Sequence, residues 1–325
     1  MTRYYSPSTV PLFVVATMMA GAVTAFVSPL AKPVALQQQA QLQQPTLSAP
    51  LQQPLSTSNN NMRGGRSFFS SSALFMGWGP DPIWTSATVT SNDKACQSGS
   101  CVSISLNVPP ETAAAYTVPG QYVQVRLNEE TKPLFLAIAS PPDPENASFE
   151  FLIKKTDGNE WMTGASKGTT VDVSQVLGGG FPMEENLEGF KYDFPTQNVL
   201  LFAAGSGIAP IKAAMESGQL SVKGGGSGGR TARLYYGVQN SDELCFVEKF
   251  GEWEKNGFQI VPVLSQPPED WEGRTGYVQT ALEEDGVPIP RNSGALLCGM
   301  KGMAESVTDV LTKAGVFEGR ILTNF

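Results

Sequence analysis

A glycine-rich stretch between residues 205 and 210 is the clearest place in the chain for ligand chemistry. It has the pattern G-x-G-x-x-P and follows directly on an apolar run at Asn198–Ala204. Glycines let a phosphate approach the backbone, and the first turn of a following helix offers unpaired N–H groups and tolerates proline. The stretch predicts a nucleotide-diphosphate site, with a simple tight turn as the alternative. The predicted contacts are Gly205, Ser206, Gly207, Ile208, Ala209 and Pro210.

Histidine is absent from all 325 residues. The chain therefore lacks the usual general base at neutral pH, every Ser–His or Cys–His nucleophile pair and every histidine metal ligand. We expect any chemistry to come from a bound cofactor.

Four cysteines remain, at positions 96, 101, 245 and 298. Cys96 and Cys101 have four residues between them, which matches the start of one iron–sulfur ligand run, but the third cysteine two residues further on is missing. A disulfide or two free thiols is the preferred interpretation, and no metal site is predicted.

The glycine stretch belongs to a region in which strands and helices alternate, which is typical of a parallel sheet covered by helices. We predict an α/β nucleotide-binding domain over residues 194–325. Its expected strands are Asn198–Ala204, Thr231–Tyr236, Phe258–Leu264, Ala295–Cys298 and Arg320–Thr323, and its expected helices are Ile211–Ser217, Asp242–Lys255, Val278–Glu284 and Met303–Ala314. The glycine-rich segment Lys223–Arg230 is predicted to be a surface loop.

Residues 81–190 have short runs rich in valine, isoleucine, threonine and aromatic residues, separated by turn residues. Six such runs predict an antiparallel β-barrel. They are Ile83–Thr90, Cys101–Val108, Gln121–Leu127, Leu134–Ala139, Phe149–Lys154 and Thr170–Val176, with one short helix within Asn159–Ser166.

Two segments of this barrel, PGQYVQVRL from Pro119 and KPLFLAIASPPD from Lys132, resemble the FAD-binding domain of the ferredoxin-NADP reductase superfamily. The second segment is also similar to a plant and algal subgroup of FAD/NAD(P)-binding oxidoreductases. The resemblance implies flavin contacts at Ile138, Ala139 and Ser140, and a phosphate contact at Asn159. The family's Arg-x-Tyr-Ser run falls on Leu134, Leu136 and Ala137, so three polar flavin contacts are replaced by apolar residues.

The second domain carries the same resemblance in LLFAAGSGIAPIKA from Leu200 and LLCGMKGMAESVTDVL from Leu296. It implies that Gly237, Ser265, Tyr277, Gly299 and Met300 contact NADPH or NADH. The family's arginine for the adenosine 2′-phosphate is replaced by Gln266, although Arg274 could supply charge. Both dinucleotides therefore remain open.

Two residues are implied to lie close to the redox reaction. Cys298 ends a predicted strand at the edge where parallel sheets bind ligands, with a buried apolar thiol as the alternative. Phe325 is the last residue, and plant reductases of the family end with an aromatic residue over the flavin ring. A frayed terminus is the alternative there.

Charge divides the chain at about residue 80. Residues 1–80 contain no Asp or Glu and only four basic residues, so residues 81–325 hold all 30 acidic and 18 (22 − 4) basic residues, a net charge of −12. This acidity argues against nucleic acid as a partner. We expect a small-molecule or protein electron acceptor and no stable membrane span in the mature form; the oligomeric state stays open.

Residues 1–80 are predicted to be a disordered targeting presequence. An apolar stretch from Val10 to Ala25 is typical of a secretory signal, and Phe26 is followed by a tract rich in Gln, Pro and Ser. This order resembles the bipartite plastid-targeting presequence of diatoms, with cleavage expected near Leu74–Met76. It implies the chloroplast stroma; an ordinary secreted protein is the alternative.

Together these features predict a two-domain flavoenzyme that moves a hydride from NAD(P)H to FAD and electrons onward to an acceptor. The protein would supply orientation and electrostatics, and no protein acid or base is needed for the transfer itself. The first alternative is an NAD(P)H-binding module whose flavin site has degenerated and which acts through a partner protein. A ligand-free structural subunit is a weaker alternative because the glycine stretch is intact.

Overall fold

The computed structural model describes residues 81–189, 192, 194–222 and 229–324. The predicted presequence and most of the glycine-rich loop at 223–230 lie outside these residues, as does Phe325. The predicted boundary between the two domains also falls partly outside them. None of the helices in the described ranges combines the length and apolarity needed to cross a membrane.

The first half is an antiparallel sheet of six strands in the order β4-β3-β6-β1-β2-β5. Inward-facing side chains such as Ile104, Val125 and Phe151 fill its interior and are fully buried. The strands are β1 (Trp84–Lys94), β2 (Cys101–Asn107), β3 (Tyr122–Arg126), β4 (Leu134–Ala137), β5 (Ser148–Lys154) and β6 (Thr170–Ser174), with short helices α1 (Pro110–Ala115), α2 (Glu160–Thr163) and α3 (Met183–Leu187). The sheet curves into a nearly closed barrel, as six alternating runs predicted.

The second half is a parallel sheet in the order β10-β9-β8-β7-β11-β12. Its strands are β7 (Asn198–Ala204), β8 (Thr231–Val238), β9 (Phe258–Leu264), β10 (Arg274–Thr275), β11 (Ser293–Cys298) and β12 (Ile321–Thr323). The main helices are α4 (Ile208–Glu216), α5 (Val247–Lys255), α6 (Val278–Asp285) and α7 (Lys301–Ala314). The central strand β7 is buried on both faces, which explains its continuous apolar run.

The predicted fold class, a β-barrel followed by an α/β parallel-sheet domain, is confirmed. The main differences from the sequence prediction are α1 and α3, which interrupt the barrel region, and the two-residue strand β10 at the edge of the parallel sheet. The two halves share one apolar core, because Ala139 and Leu152 of the barrel pack in the same cluster as Ile208 and Ala209 of α4. Packing therefore fixes the position of the glycine stretch against the barrel.

Candidate active site

The glycine stretch forms a tight turn between β7 and α4. Gly205 has a φ of +54°, and residues Gly205–Gly207 make one 3₁₀ turn before α4 begins at Ile208. A Cβ atom at Gly207 would lie 2.3 Å from the carbonyl oxygen of Cys298. Because that neighbour is backbone, it cannot move aside as a flexible side chain would, and only glycine fits where the two strand ends meet.

A cavity of about 700 Å³ lies at the carboxyl ends of the parallel strands, where ligands of open α/β sheets bind. Tyr277 lies at its wall with 60% of its side chain exposed, so its ring is available to a bound ligand. The structure brings six of the residues predicted to bind nucleotide to this one cavity: Gly205, Ser206, Gly237, Ser265, Tyr277 and Met300.

A second cavity of about 460 Å³ lies between the barrel and the parallel sheet. Strands β4 and β5 form one wall, and the start of α4 and the end of β11 form the other. Among the predicted residues it is lined by Ser206, Gly207, Ala209, Pro210, Cys298, Gly299 and Met300. The first of the two cavities shares Lys154, Ala204, Ser206 and Met300 with the second, so the two form one continuous cleft. Ile208 is fully buried and lines neither cavity.

The barrel wall of the second cavity is apolar. Phe135, Leu136 and Ala137 line it from β4, in the segment where the resemblance places polar flavin contacts. The Phe135 side chain is 66% exposed, and its ring centroid lies 6.0 Å from that of Tyr122. Phe135 was missed in the sequence, although its position between two inward-facing residues of a predicted strand already placed it on the outer face.

Ile138, Ala139 and Ser140 line neither cavity, and their predicted contacts with a flavin ring stay predictions. Ile138 and Ala139 are fully buried. The N–H of Ala139 donates to the carbonyl oxygen of Glu150 at 2.7 Å, and the carbonyl of Ser140 accepts from the Tyr116 hydroxyl at 2.9 Å. These backbone groups are already paired within the protein because the chain turns into the core after β4.

Asn159 lines neither cavity. Its side-chain amide donates to the carbonyl oxygen of Lys154 at 2.8 Å, and its side-chain oxygen accepts from the N–H of Thr156 at 3.0 Å. The Glu160 carboxylate accepts from the N–H of Gly158 at 2.7 Å, so a carboxylate already occupies the place at the start of α2 that a phosphate would need. The N–H of Gly158 is therefore already paired, and the phosphate contact at Asn159 stays a prediction.

Arg274 is paired inside the protein and does not line the nucleotide cavity. Its guanidinium donates to Glu284 at 2.6 Å and to Asp285. Gln266 does line the cavity, and its side-chain oxygen accepts from the Gln239 amide at 2.7 Å. The expectation that Arg274 supplies charge for a 2′-phosphate is therefore not met.

Two lysines that sequence reasoning missed bear on the cleft. Lys154 ends β5 and is the one basic residue among the described residues that line the two cavities. Lys212 of α4 is 4% exposed, and its ammonium contacts Glu150 of β5 at 2.8 Å and Glu216 at 2.9 Å. A single lysine in the apolar sequence IAPIKAAM was the available signal for a buried ion pair.

The Cys298 thiol lies at the junction of the two walls. Burial raises its pKa to about 12, and a side-chain hydrogen bond with Asn324 opposes this only in part. The thiol is therefore neutral at physiological pH and is not poised as a nucleophile. Asn324 also contacts the barrel, where its amide donates to the Gly120 carbonyl oxygen at 3.5 Å. Phe325, the next residue, lies outside the described residues, so its role over the flavin ring stays a prediction.

The residues of the cleft fit a dinucleotide and the ring of a flavin. The glycine turn offers backbone N–H groups at the start of α4, and the exposed Tyr277 offers an aromatic face. The apolar wall at β4 suits a planar ring, and the expected polar contacts to a flavin diphosphate are absent from the described part of the cleft. The geometry thus supports nucleotide binding through phosphate and flavin binding mainly through the ring.

Comparison with known proteins gives three matches of note. The sequence model of the oxidoreductase NAD-binding domain family matches residues 201–309. The chain is 34% identical over 251 residues to the fruit protein pKIWI502 of Actinidia deliciosa, covering 74% of this chain and 76% of that protein. It is 24% identical over 217 residues to the chloroplastic embryo isozyme of ferredoxin–NADP reductase from Oryza sativa subsp. japonica, covering 65% of this chain and 55% of that enzyme.

Among solved structures, the ferredoxin NADP⁺ reductase of Neisseria gonorrhoeae with bound FAD and NADP has the same fold. The TM-score is 0.59 at 16% identity, and the match covers 74% of this chain and 97% of that one. FAD and NAD(P)H are the cofactors typical of these proteins. With the two-domain architecture and the identity to the kiwifruit protein, these matches show that the chain belongs to the ferredoxin-NADP reductase-like superfamily of NAD(P)H-dependent oxidoreductases.

Proposed function

We propose that this protein is an NAD(P)H-dependent flavin oxidoreductase that passes electrons to a small-molecule or protein acceptor. The observation that carries the proposal is the continuity of the two cavities, which meet at Ala204, Ser206 and Met300. One cavity lies at the nucleotide-binding edge of the parallel sheet and the other against the barrel. A flavin bound in the second cavity supplies the acceptor for a hydride and releases electrons one at a time.

The protein's own residues bind and orient the two partners. The turn at Gly205–Gly207 and the N-terminus of α4 hold a diphosphate, and Lys154 adds a positive charge at the point where the cavities meet. The apolar wall around Phe135 excludes water from the contact between the two rings. Positioning of this kind lowers the barrier without any protein acid or base, in agreement with the absence of histidine.

We further propose that NADH is preferred over NADPH. Gln266 occupies the position where the resemblance implies an arginine, and Arg274 is neutralised by Glu284 and Asp285. Neither position therefore offers a free guanidinium to a 2′-phosphate, and Lys154 is the one cation among the described residues that line this cavity. We expect a higher kcat/KM with NADH in steady-state assays, and a preference for NADPH would refute the assignment.

We propose that the flavin is held by its ring and exchanges readily. Because the ring wall is intact and the diphosphate contacts are missing, FAD, FMN and riboflavin should bind with dissociation constants within roughly tenfold of one another. Fluorescence titration of each flavin into the purified protein tests this. A preference for FAD of a thousandfold or more would show that the diphosphate is recognised after all.

Anaerobic reduction tests the function as a whole. When NADH is added to purified protein supplied with flavin, the flavin absorbance should decrease. The rate of this decrease should level off at high NADH concentration, when the nucleotide site is full. Binding of nucleotide without any effect on flavin would refute the enzyme assignment.

Nucleotide binding without flavin reduction would support the alternative of a binding module. The burial of Ile138 and Ala139 and the apolar residues on β4 favour this alternative. Its distinguishing property is nucleotide affinity with no affinity for any of the three flavins. Equilibrium dialysis with NADH and with each flavin separates the two functions directly.

We also propose that the protein acts in a plastid of a plant or alga. The acid-free composition of residues 1–80 and the position of Phe26 support this. Residues 1–80 fused to a fluorescent protein should direct it to the plastid of a diatom, and Phe26→Ala should stop it outside the stroma. Secretion of the unmodified fusion would refute the proposal.

A further inference from the structure

Three cysteines converge outside the cleft. The sulfur atoms of Cys96, Cys101 and Cys245 all lie within 4.8 Å of one another. The three residues are buried, with exposures of 5%, 5% and 1%, and all are free thiols. Cys245 could not be associated with the other two in the sequence, because it lies in the other domain.

The cluster lies where a barrel hairpin meets the nucleotide domain. Cys96 and Cys101 flank the turn between β1 and β2, and Cys245 lies two residues before the start of α5. Backbone pairing joins the two elements, since Cys96 and Cys245 form an antiparallel bridge and the Ser98 N–H donates to the Asp242 carbonyl oxygen at 2.9 Å. The thiols are thus positioned by backbone contacts from both sides.

We propose that Cys96, Cys101 and Cys245 bind one Zn²⁺ ion that fastens the barrel hairpin to the nucleotide domain. Tetrahedral zinc with Zn–S bonds of 2.3 Å places its thiolate sulfurs about 3.8 Å apart, so the three side chains need to close by roughly 1 Å at most. Thiolates select soft or borderline ions, and three of them in a closed pocket are a zinc donor set rather than one for Mg²⁺ or Ca²⁺.

A small space adjoins two of the three thiols and could hold a fourth ligand. A cavity of about 140 Å³ is lined by Cys101, Cys245 and Glu243, and it has room for a water ligand. The Glu243 carboxylate accepts a hydrogen bond from the Ser100 hydroxyl, whose oxygen lies 3.4 Å from the Cys96 sulfur. Ser100 and Glu243 are therefore placed to hydrogen-bond a zinc-bound water and its neighbouring thiolate.

The convergence of three thiols favours a metal over a disulfide. A disulfide would join only two of the sulfurs and leave the third as a buried thiol without a role. A metal ion uses all three, which come from two separate parts of the fold. The same cavity is also lined by Gly205 and Ser206 of the nucleotide turn, so the bound ion would stabilise an element next to that turn.

Metal content tests the proposal. The full-length protein, purified in reducing buffer without chelator, should contain one zinc ion per chain as measured by elemental mass spectrometry. Cys245→Ser and Cys101→Ser should lose it, whereas Cys298→Ser should keep it, because Cys298 lies outside the cluster. Zinc absent from the wild type, or retained in full by Cys245→Ser, would overturn the proposal.

Two measurements use only the wild-type protein, so they test the proposal even where the variants fail to fold. Co²⁺ added to the zinc-free protein should give the visible bands of tetrahedral thiolate coordination at one equivalent, and their absence would refute the site. Mass mapping of alkylated, freshly purified protein should show all three cysteines free of disulfides, so a Cys101–Cys245 disulfide would also refute it. Neither measurement involves flavin or nucleotide, so this inference can fail independently of the proposed function.

Discussion

The choice between NADH and NADPH can be tested by restoring a cation beside the nucleotide cavity. In Gln266→Arg the new guanidinium would replace an exposed side chain that lines the cavity with Ser265 and Tyr277. The substitution removes one exposed hydrogen bond to Gln239, 2.7 Å long, which costs about 0.5 kcal/mol. It adds a charge-assisted bond to the 2′-phosphate worth about 1.5–3 kcal/mol.

The lost bond is absent from the free and the nucleotide-bound variant alike, so it lowers stability but not the binding gain, and about 1.5–3 kcal/mol corresponds to a rise of roughly 10- to 150-fold in kcat/KM for NADPH. The value for NADH should change by less than about threefold, because NADH has no 2′-phosphate. Initial rates over a range of each nucleotide give both constants, and a rise in ionic strength should reduce the gain. Gln197→Arg is the matched control, since it adds the same charge just before β7 at the opposite edge of the sheet.

The reasoning is refuted if Gln266→Arg leaves the ratio of NADPH to NADH unchanged, or if Gln197→Arg changes it equally. The first result would mean that the adenosine lies elsewhere in the cavity. The second would mean that net charge, not a local contact, decides the preference.

Two further substitutions, each with a control, and one chemical modification test the architecture of the cleft. Gly207→Ala should abolish nucleotide binding and lower the free energy of unfolding by about 1–3 kcal/mol, because the new methyl group meets backbone at 2.3 Å. Its control, Gly251→Ala on the open face of α5, should leave stability unchanged or raise it slightly. Lys212→Met should lower the free energy of unfolding in chemical denaturation by about 3 kcal/mol, because it leaves two carboxylates without their cation. Its control, Lys249→Met, removes an exposed ion pair and should lower that free energy by less than about 1 kcal/mol. Iodoacetamide should alkylate Cys298 in the native protein slowly, and the rate should keep rising about tenfold per pH unit up to roughly pH 10 without levelling off, because burial raises its pKa to about 12 and only the thiolate reacts; a rate that levels off just above the ordinary thiol pKa would contradict this.

The strands and the nucleotide turn could be predicted because their signals are local. The continuous apolar run of Asn198–Ala204 is a strand buried on both faces, and Gly207 in the turn that follows meets the end of β11 where no side chain fits. Each of these features depends on residues that are neighbours in sequence or in one sheet. Pattern and steric rules therefore predict them.

Two residues have different partners from those that the sequence suggested, and these partners lie outside the local motif. Arg274 was expected to face a phosphate, and it is instead paired with two carboxylates at the end of α6. Ala139 was expected at the flavin ring, and its N–H is bonded to β5 instead. Ion pairs and strand register of this kind are decided by tertiary packing, on which a local motif carries no information.

The position of the barrel relative to the nucleotide turn follows from contacts that cross between them. The Lys212 ammonium joins α4 to Glu150 of the barrel, and Leu152 packs in one core with Ile208 at the start of the same helix. Because packed cores resist small displacements, the two walls of the cleft are held at one separation before any ligand arrives. Hydride transfer depends steeply on that separation, whereas binding of each ligand depends mainly on its own wall. Lys212→Met should therefore slow flavin reduction more than it weakens nucleotide affinity, which ties the stability of this junction to the rate of the reaction.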